Sequence, residues 1–252
     1  MGVLAEILAN KRRELAELGA PPPSDLAPRP HGLGRGEGEP LRLIAEIKRR
    51  SPSAGALSTA LDVGERALAY ERAGASMLSV LTDARYFDGA FAHLRQAREA
   101  THLPILCKEF VLDERQLDWA RASGADAVLL VVRCLTPAAL AGLLAAARER
   151  GLAPLVEVAS AEEARVALDA GADLIGVNAR DLDTLQMDAA RAQRVLDGLP
   201  SGVTRVFLSG VRSEHEVRQL ASQRLDATLI GEALMRLDDP SALLARMRAA
   251  AG

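Results

Sequence analysis

Short hydrophobic runs alternate with longer amphipathic stretches from Leu43 to the end of the chain. Each run is typical of a buried strand, and each following stretch has the spacing of a helix with one apolar face. The predicted strands are Leu43–Lys48, Met77–Leu81, Ile105–Lys108, Ala127–Val132, Ala153–Val158, Leu174–Asn178, Thr204–Ser209 and Ala227–Ile230. The predicted helices after them are Asp62–Ala73, Phe91–Thr101, Glu114–Ser123, Pro137–Arg150, Ala161–Ala170, Ala189–Leu199, Ser213–Ser222 and Pro240–Ala250.

Three predicted joints between a helix and the next strand repeat one pattern, in which a glycine ends the helix. They are Ala73-Gly74-Ala75-Ser76, Ser123-Gly124-Ala125-Asp126 and Ala170-Gly171-Ala172-Asp173. This repetition predicts an α/β fold, a single (β/α)8 TIM barrel built by residues 41–252 within one domain spanning 1–252. An open doubly wound sheet is the alternative, but it needs a glycine-rich turn after an early strand. Gly34-Arg35-Gly36 follows no predicted strand.

The residues before the barrel form two predicted regions. Val3–Leu18 has apolar residues at helical spacing, and Gly19 is placed to end the helix, so we expect an extra N-terminal helix. Residues 20–40 are rich in proline and glycine and predict an irregular connection that either wraps the core or is mobile.

Charge and cysteine content narrow the class of protein. The net charge of −3 does not supply the basic patch that nucleic-acid binding needs, so no nucleic-acid partner is expected. Charged residues interrupt the N-terminal apolar positions, so we predict neither a signal peptide nor a membrane span, and we expect a cytoplasmic protein. Cys107 and Cys134 lie in apolar runs without metal-ligand spacing and are predicted to be buried thiols.

Lysine is rare among the basic residues of this chain. Of 31 lysines and arginines, only Lys11, Lys48 and Lys108 are lysine. An ammonium can give up its proton and a guanidinium cannot, so a persisting lysine is a candidate for proton chemistry. Lys48 and Lys108 both end predicted strands, where the active site of such a barrel lies.

Polar and charged side chains end most of the predicted strands. Residues two apart in a strand share one face, so Glu46 and Lys48 enter the same interior. The further candidates at strand ends are Lys108, Glu157, Asn178, Ser209, Gly210 and Gly231. One such residue alone is equally well explained by an internal ion pair, but their convergence predicts a site. Two lysines and two glutamates without clustered histidines favour acid–base chemistry with no metal and no cofactor.

Two glycine turns predict where a phosphate binds. Ser209-Gly210-Val211 follows the seventh strand, and Ile230-Gly231-Glu232-Ala233 follows the eighth, with a short helix expected to begin near Gly231. Loops at these two places form the usual phosphate cradle of a barrel, because glycine lets backbone N–H groups approach the ligand. Glu232 is compatible with this if its side chain points away. The expected partner is therefore a small phosphorylated molecule.

These residues, in this order, resemble the indole-3-glycerol phosphate synthase family of tryptophan biosynthesis from Leu41 to Arg236. The matching motifs are Ile44-Ala45-Glu46-Ile47-Lys48, Ser51-Pro52-Ser53 with Gly55, Val80-Leu81-Thr82-Asp83, Tyr86-Phe87-Asp88-Gly89, Leu106-Cys107-Lys108-Glu109-Phe110, Leu155-Val156-Glu157-Val158, Ile175-Gly176-Val177-Asn178-Ala179-Arg180-Asp181-Leu182, Ser209-Gly210-Val211 and Ile230-Gly231-Glu232-Ala233-Leu234-Met235. The resemblance implies a carbon–carbon lyase that closes a ring. It would convert 1-(2-carboxyphenylamino)-1-deoxyribulose 5-phosphate to indole-3-glycerol phosphate, releasing carbon dioxide and water.

The resemblance also implies catalytic roles. Lys108 would be the general acid that makes the substrate ketone electrophilic. Glu157 would stabilise the developing cation and act as a base. Lys48 would supply a proton during dehydration, with Glu46 positioning it and tuning its pKa.

Binding roles follow from the same resemblance. Asn178 would hydrogen-bond substrate hydroxyls, and Arg180 with Ser51 would hold the carboxylate until it leaves. Phe110 and Leu81 would form an apolar wall for the aromatic ring. The implied phosphate ligands are Ser209, Gly210, Gly231 and Glu232, with Lys48 nearby.

The chain departs from the family pattern at three places. Ala90 stands where a serine is common, and Glu109 replaces a common aspartate beside Lys108. The family usually has a short helix that helps to cover the substrate at Pro28–Glu39, where this chain is glycine-rich. We therefore predict that this lid is shortened or disordered and that substrate binding is weaker.

Two other functions compete with this interpretation. A phosphoribosylanthranilate isomerase-like barrel would want a cysteine and an aspartate at strand ends, where this chain has Glu46 and Lys48. A non-catalytic barrel that carries or senses a phosphorylated metabolite would be expected to have lost Lys48, Lys108 or Glu157. We predict no second catalytic domain, and we expect a monomer with at most weak association with other tryptophan-pathway enzymes.

Overall fold

The computed structural model describes residues 2–52, 54–181 and 184–252. Ser53 and Leu182 of the predicted motifs lie outside them. Eight parallel strands close into a barrel. They are β1 (Arg42–Ile47), β2 (Met77–Leu81), β3 (Ile105–Lys108), β4 (Ala127–Val131), β5 (Ala153–Val158), β6 (Leu174–Val177), β7 (Thr204–Phe207) and β8 (Ala227–Ile230).

Helices surround the barrel, and one precedes it. They are α1 (Val3–Glu17), α2 (Val63–Arg72), α3 (Ala84–Phe87), α4 (Phe91–Ala100), α5 (Glu114–Ala122), α6 (Pro137–Glu149), α7 (Ala161–Asp169), α8 (Ala189–Gly198), α9 (Glu214–Ala221), α10 (Glu232–Met235) and α11 (Ser241–Ala250). A short antiparallel hairpin joins Arg50–Ser51 to Gly55–Ala56, and a 3-10 turn spans Val132–Cys134. Among the described helices, none is long and apolar enough to cross a membrane.

The predicted barrel is confirmed; four strands have the predicted boundaries, and the other four differ from the prediction by one or two residues. β1 pairs in parallel with both β2 and β8, which closes the sheet. The alternation of side chains separates two cores. Ile44, Met77 and Leu106 pack inside the barrel, while Leu43 and Ala45 pack outward against the helices. An interior position therefore recurs at every second residue of each strand.

Local capping explains where several helices begin. Asp62 accepts a hydrogen bond from the Glu65 backbone N–H, and Glu65 returns one to Asp62, so a capping box begins α2. The pattern of apolar residues did not predict α3, which is only one turn long. Asp83 begins it by accepting from the Tyr86 backbone N–H at 2.8 Å. One turn is too short to produce a helical pattern of apolar residues.

Residues 20–40 run from α1 past α5 and α4 to the N-terminal end of the barrel strands, which we call the base. Leu33 is fully buried in the interior cluster of the barrel. The Arg29 backbone N–H donates to Asp126 Oδ1 at 2.6 Å, and Asp126 directly precedes β4. The Arg29 guanidinium donates to the carbonyl oxygens before β3. This segment closes the base, so it wraps the core.

The prediction that Pro28–Glu39 lies over the substrate as a shortened lid is therefore wrong, because this segment lies at the base. Arg29–Gly36 contains no helix, as the sequence indicates, but the segment is held at the end of the barrel opposite the strand termini that carry the candidate residues. The Arg35 backbone N–H donates to Asp226 Oδ1 at 2.9 Å, and Asp226 directly precedes β8. Long-range hydrogen bonds fix its path, and local composition does not reveal them. Weaker substrate binding stays a prediction.

Candidate active site

One pocket opens at the C-terminal ends of the strands, which we call the mouth, and it collects all the candidate residues. They are Glu46, Lys48, Ser51, Leu81, Lys108, Phe110, Glu157, Asn178, Arg180, Ser209, Gly210, Gly231 and Glu232. Glu46, Lys108 and Glu157 each lie two residues beyond an interior leucine or isoleucine, so their side chains continue the inward face. The alternation that builds the apolar core therefore also aims these charges into the pocket.

Glu46 joins the two lysines of the pocket. Its Oε1 lies 2.6 Å from Lys48 Nζ, and its Oε2 lies 2.9 Å from Lys108 Nζ. The sequence-based expectation assigned Glu46 to Lys48 alone, because those two residues share a strand face. The contact with Lys108 needs β1 and β3 to curve towards each other in the closed barrel. One carboxylate thus fixes both ammonium groups.

Burial and neighbouring charges set the protonation of these groups. Burial disfavours a charged Glu46, but Lys108 and Lys48 outweigh it and lower the pKa of Glu46 to about 2. Burial also opposes the charge on Lys108, yet the carboxylates of Glu46 and Glu157 raise its pKa above the ordinary value. For Glu157 burial prevails over Lys108 and Asn178, so its pKa is raised. The pocket therefore places the Lys108 ammonium, which holds its proton more tightly than an ordinary lysine, beside the Glu157 carboxylate, which is more basic than an ordinary glutamate.

A chain of hydrogen bonds positions Glu157. Asn178 Nδ2 donates to Glu157 Oε1 at 2.8 Å. Asn178 Oδ1 in turn accepts from the Arg180 backbone N–H at 2.9 Å and from the Ser209 hydroxyl. The loop after β6 is held further by Asp181, which pairs with Arg133 at 3.1 Å. Asn178 thus connects the acidic side chain of β5 to the loops that follow β6 and β7.

The end of the pocket near Gly210 and Gly231 depends on both glycines. Gly210 has a φ of +91°, a left-handed conformation that other residues rarely adopt. A Cβ on Gly231 would overlap Glu46 Oε1 and lie 2.9 Å from Lys48 Nζ. Glu232, the first residue of α10, forms an ion pair at 2.7 Å with Arg236, which directly follows that helix. Its side chain is therefore engaged with Arg236, and the backbone near Gly231 approaches the buried charges closely.

The opposite end of the pocket is apolar and is lined by Leu81, Phe87 and Phe110. The ring centroids of Phe87 and Phe110 lie 6.4 Å apart. Sequence reasoning missed Phe87 and also the contribution of α1, whose Val3, Leu4 and Ile7 line this pocket. The helical pattern of α1 could have identified these residues as apolar, but not the surface that they cover.

The titratable residues of the mouth do not form a metal site. Among residues 2–52, 54–181 and 184–252, no group of three or more His, Cys, Asp or Glu side chains is arranged to hold a metal ion. Cys107 is buried and Cys134 is half-buried, and both are free thiols. The ionisable groups at the centre of the pocket are the ammonium groups of Lys48 and Lys108 and the carboxylates of Glu46 and Glu157, and the Arg180 guanidinium is among the other lining groups.

Solved structures support the barrel fold alone, because their sequence identity to this chain is low. A 3-hexulose-6-phosphate synthase is 17% identical, with a TM-score of 0.66 over 84% of this chain and 100% of that one. A thiamine phosphate pyrophosphorylase from Pyrococcus furiosus is also 17% identical, with a TM-score of 0.64 over 83% of this chain and 95% of the other.

Relatives found by sequence have a much higher sequence identity to this chain than these solved structures do. The indole-3-glycerol phosphate synthase of Micrococcus luteus is 44% identical and covers 99% of this chain and 98% of its own length. That of Mycobacterium avium is 43% identical over 97% of this chain and 90% of the relative. Indole-3-glycerol phosphate synthase 1 of Streptomyces coelicolor is 40% identical over 99% of this chain and 96% of the relative. The model of the indole-3-glycerol phosphate synthase family matches residues 5–247, and the chain belongs to that family.

Proposed function

We propose that the mouth of this barrel converts 1-(2-carboxyphenylamino)-1-deoxyribulose 5-phosphate to indole-3-glycerol phosphate, carbon dioxide and water. Members of the family are carboxy-lyases of tryptophan biosynthesis. The observation that carries the proposal is the arrangement of Lys48, Glu46 and Lys108, with Glu157 and an apolar wall in the same pocket. No step of this reaction needs a redox partner, because the substrate loses only carbon dioxide and water.

Ring closure requires the aryl carbon that bears the carboxylate to attack the ketone carbon. A ketone is a weak electrophile until its oxygen receives a proton or a strong hydrogen bond. Lys108 is the proposed acid, because its ammonium is secured by Glu46 and because Leu81 lies beside it in the register of β2 and β3. Its proton therefore stands next to the apolar end, where Leu81 and Phe110 would hold the aromatic ring.

Decarboxylation follows from the cation that ring closure creates. The bond to the carboxylate breaks, and its electron pair restores the aromatic ring. Glu157 supports the transient positive charge as a buried carboxylate held by Asn178. Arg180 and Ser51 bind the substrate carboxylate in the Michaelis complex. Glu157 retains its negative charge through this step.

Dehydration completes the reaction. The hydroxyl group formed from the ketone leaves as water after Lys48 protonates it, and Glu157 takes a proton from the neighbouring carbon. Each carboxylate oxygen of Glu46 binds a different lysine, so Lys108 is available for ring closure and Lys48 for dehydration. Increased basicity suits Glu157 to this role, because its raised pKa brings it nearer the pH at which a general base works best.

The phosphate is placed at the glycine end of the pocket. Backbone N–H groups at Gly210 and Gly231, with the Ser209 hydroxyl and the start of α10 at Glu232, are the proposed ligands. Lys48 adds positive charge there, as its Nζ lies near the Gly231 backbone. Asn178 contacts the substrate hydroxyls between this end and the apolar end. The substrate would therefore span the pocket in one orientation.

The experiment follows the fluorescence of the indole product with the full-length chain and synthetic substrate. We expect turnover by the unaltered protein, and a decrease of kcat in Lys108→Ala of about 10²- to 10⁴-fold, since one general acid typically contributes that much. Arg115→Ala is the control, because the exposed Arg115 side chain pairs with the nearby Asp113 and does not line the pocket in the part of the chain that the structure describes.

Two results would contradict the proposal. An unaltered protein that binds the substrate without forming product would be a phosphometabolite carrier. A Lys108→Ala variant as active as the Arg115→Ala control would remove Lys108 from the chemistry.

A further inference from the structure

One rare lysine has no part in the proposed chemistry. Lys48 and Lys108 belong to the catalytic pocket, but Lys11 lies on α1, outside the barrel strands. Its side chain is only 5% exposed. A lysine on a short leading helix is ordinarily solvated, because burying an ammonium is costly unless carboxylates surround it. The burial of Lys11 therefore needs an explanation.

Three carboxylates surround the Lys11 ammonium. Its Nζ lies 2.6 Å from Glu14 Oε2 on the same helix, 3.0 Å from Asp83 Oδ2 and 2.9 Å from Glu109 Oε1. Asp83 stands in the loop after β2 and begins α3, and Glu109 stands in the loop after β3. A single buried ammonium thus joins α1 to two loops of the mouth.

Glu109 is itself fixed on both of its oxygens. Oε2 accepts from the Thr82 hydroxyl at 2.9 Å, and Oε1 accepts from the Phe110 backbone N–H at 2.7 Å. Burial opposes the charge on Lys11, but Glu109 and Asp83 outweigh it and raise the Lys11 pKa. The ammonium therefore stays charged and offsets the negative charge of Asp83 and Glu109, although burial still raises the pKa of Glu109 above its ordinary value.

The face of α1 that carries Lys11 also covers the pocket. Val3, Ile7 and Lys11 follow one another at intervals of four residues, so they share one side of the helix. Val3 and Ile7 line the pocket, and Lys11 is anchored one turn beyond them. Its partner Glu109 lies between Lys108 and Phe110 in the chain. The anchor and the pocket wall are therefore mechanically connected through α1 and through the loop after β3.

We propose that Lys11 is a positioning residue for substrate binding, whose ammonium holds α1 across the apolar end of the pocket. It touches no reacting atom, and it acts through Val3, Ile7 and Glu109. This inference rests on the proposed function, since it takes the apolar end as the place of the substrate's aromatic ring. α1, and not the proline- and glycine-rich segment at the base, then covers the substrate.

The first experiment measures kcat and KM separately for Lys11→Met, a neutral side chain of similar length. We expect KM to rise roughly tenfold while kcat changes less than about threefold, because ground-state positioning is lost and the acid and base remain. Arg12→Met is the matched control, since Arg12 is the neighbouring cation on the exposed side of α1. The pH profile of kcat should be the same in all three proteins.

A second variant separates positioning from folding. Lys11→Met alone leaves Glu109 and Asp83 without their cation, so its melting temperature should fall. The combined variant Lys11→Met/Glu109→Gln removes one of the two charges, keeps an acceptor oxygen for the Phe110 backbone N–H, and lets the amide NH2 donate to the Thr82 hydroxyl. We expect it to regain melting temperature while its KM stays high. Val3→Ala, which trims the same cover without touching the ion pairs, should also raise KM.

Three results would overturn the inference. KM of the combined variant could return to that of the unaltered protein, which would make Lys11 purely structural. KM could stay unchanged in both Lys11→Met and Val3→Ala. A decrease of kcat with an altered pH profile would place Lys11 in the chemistry. Absence of turnover in the unaltered protein would instead contradict the proposed function itself.

Discussion

The two ends of the barrel use the same strands in opposite ways. At the base, Leu33 fills the interior, and Asp126 and Asp226 accept backbone N–H groups from the segment that crosses it. At the mouth, the inward positions hold Glu46, Lys108 and Glu157 around an open pocket. At the mouth these charges are buried around a cavity at a cost in solvation energy, whereas at the base the Leu33 side chain fills the interior. The comparison indicates that the base contributes stability and that the mouth is retained for chemistry.

The largest effect is expected at the mouth, from Glu157→Gln. The amide keeps an acceptor for Asn178 but cannot take a proton, so kcat should fall about 10²- to 10⁴-fold. Denaturant unfolding should give a free energy of unfolding no lower than that of the unaltered protein, because the substitution removes a buried carboxylate whose charge is opposed by burial.

Glu149→Gln on the exposed side of α6 is the control for both measurements. If Glu157→Gln strongly lowered the free energy of unfolding and left kcat unchanged, Glu157 would contribute to stability and not to chemistry, and the contrast between base and mouth would be wrong.

The next effect concerns stability at the base. Leu33→Ala leaves a cavity in a fully buried site, so the free energy of unfolding should decrease by about 2–5 kcal/mol. The kcat and KM should stay within about twofold, since distant independent sites act additively. Leu237→Ala serves as the control, because Leu237 is exposed. A large rise in KM for Leu33→Ala would show that the base is coupled to the mouth.

The smallest effect is a shift of the pH profile. In the proposed mechanism Glu157 acts as a base only in its carboxylate form, and burial raises its pKa above the ordinary 4.5. Activity should therefore fall on acidification at a pH above 4.5, earlier than an exposed glutamate would predict. Lys108 must be an ammonium, and its pKa is raised above the ordinary 10.5, so it should cause no alkaline loss below that value.

Rate measurements under conditions where the protein stays folded would check this profile. The acid limb should disappear from the residual activity of Glu157→Gln. Glu46 should not contribute to it, because its pKa of about 2 keeps it ionised throughout. For stability, Glu46 contributes fully above its ordinary value of 4.5, and this contribution is lost as the pH falls towards 2. An acid limb that persists in Glu157→Gln would assign the base to another group.

The sequence by itself determined the barrel and the polar and charged residues at the strand ends that line the candidate pocket. Strand periodicity is local, so it already aims Glu46, Lys108 and Glu157 inward, and the closure of parallel strands brings their ends together. The rarity of lysine further indicated Lys48 and Lys108.

Only the tertiary structure decided which of these groups touch and which segment covers them. The contact of Glu46 with Lys108 joins residues 62 positions apart, and that of Arg29 with Asp126 joins residues 97 apart. No local pattern encodes such pairs, because they depend on how the whole barrel curves and closes. For the same reason the sequence assigned the cover to Pro28–Glu39, while the fold places that segment at the base and α1 over the mouth.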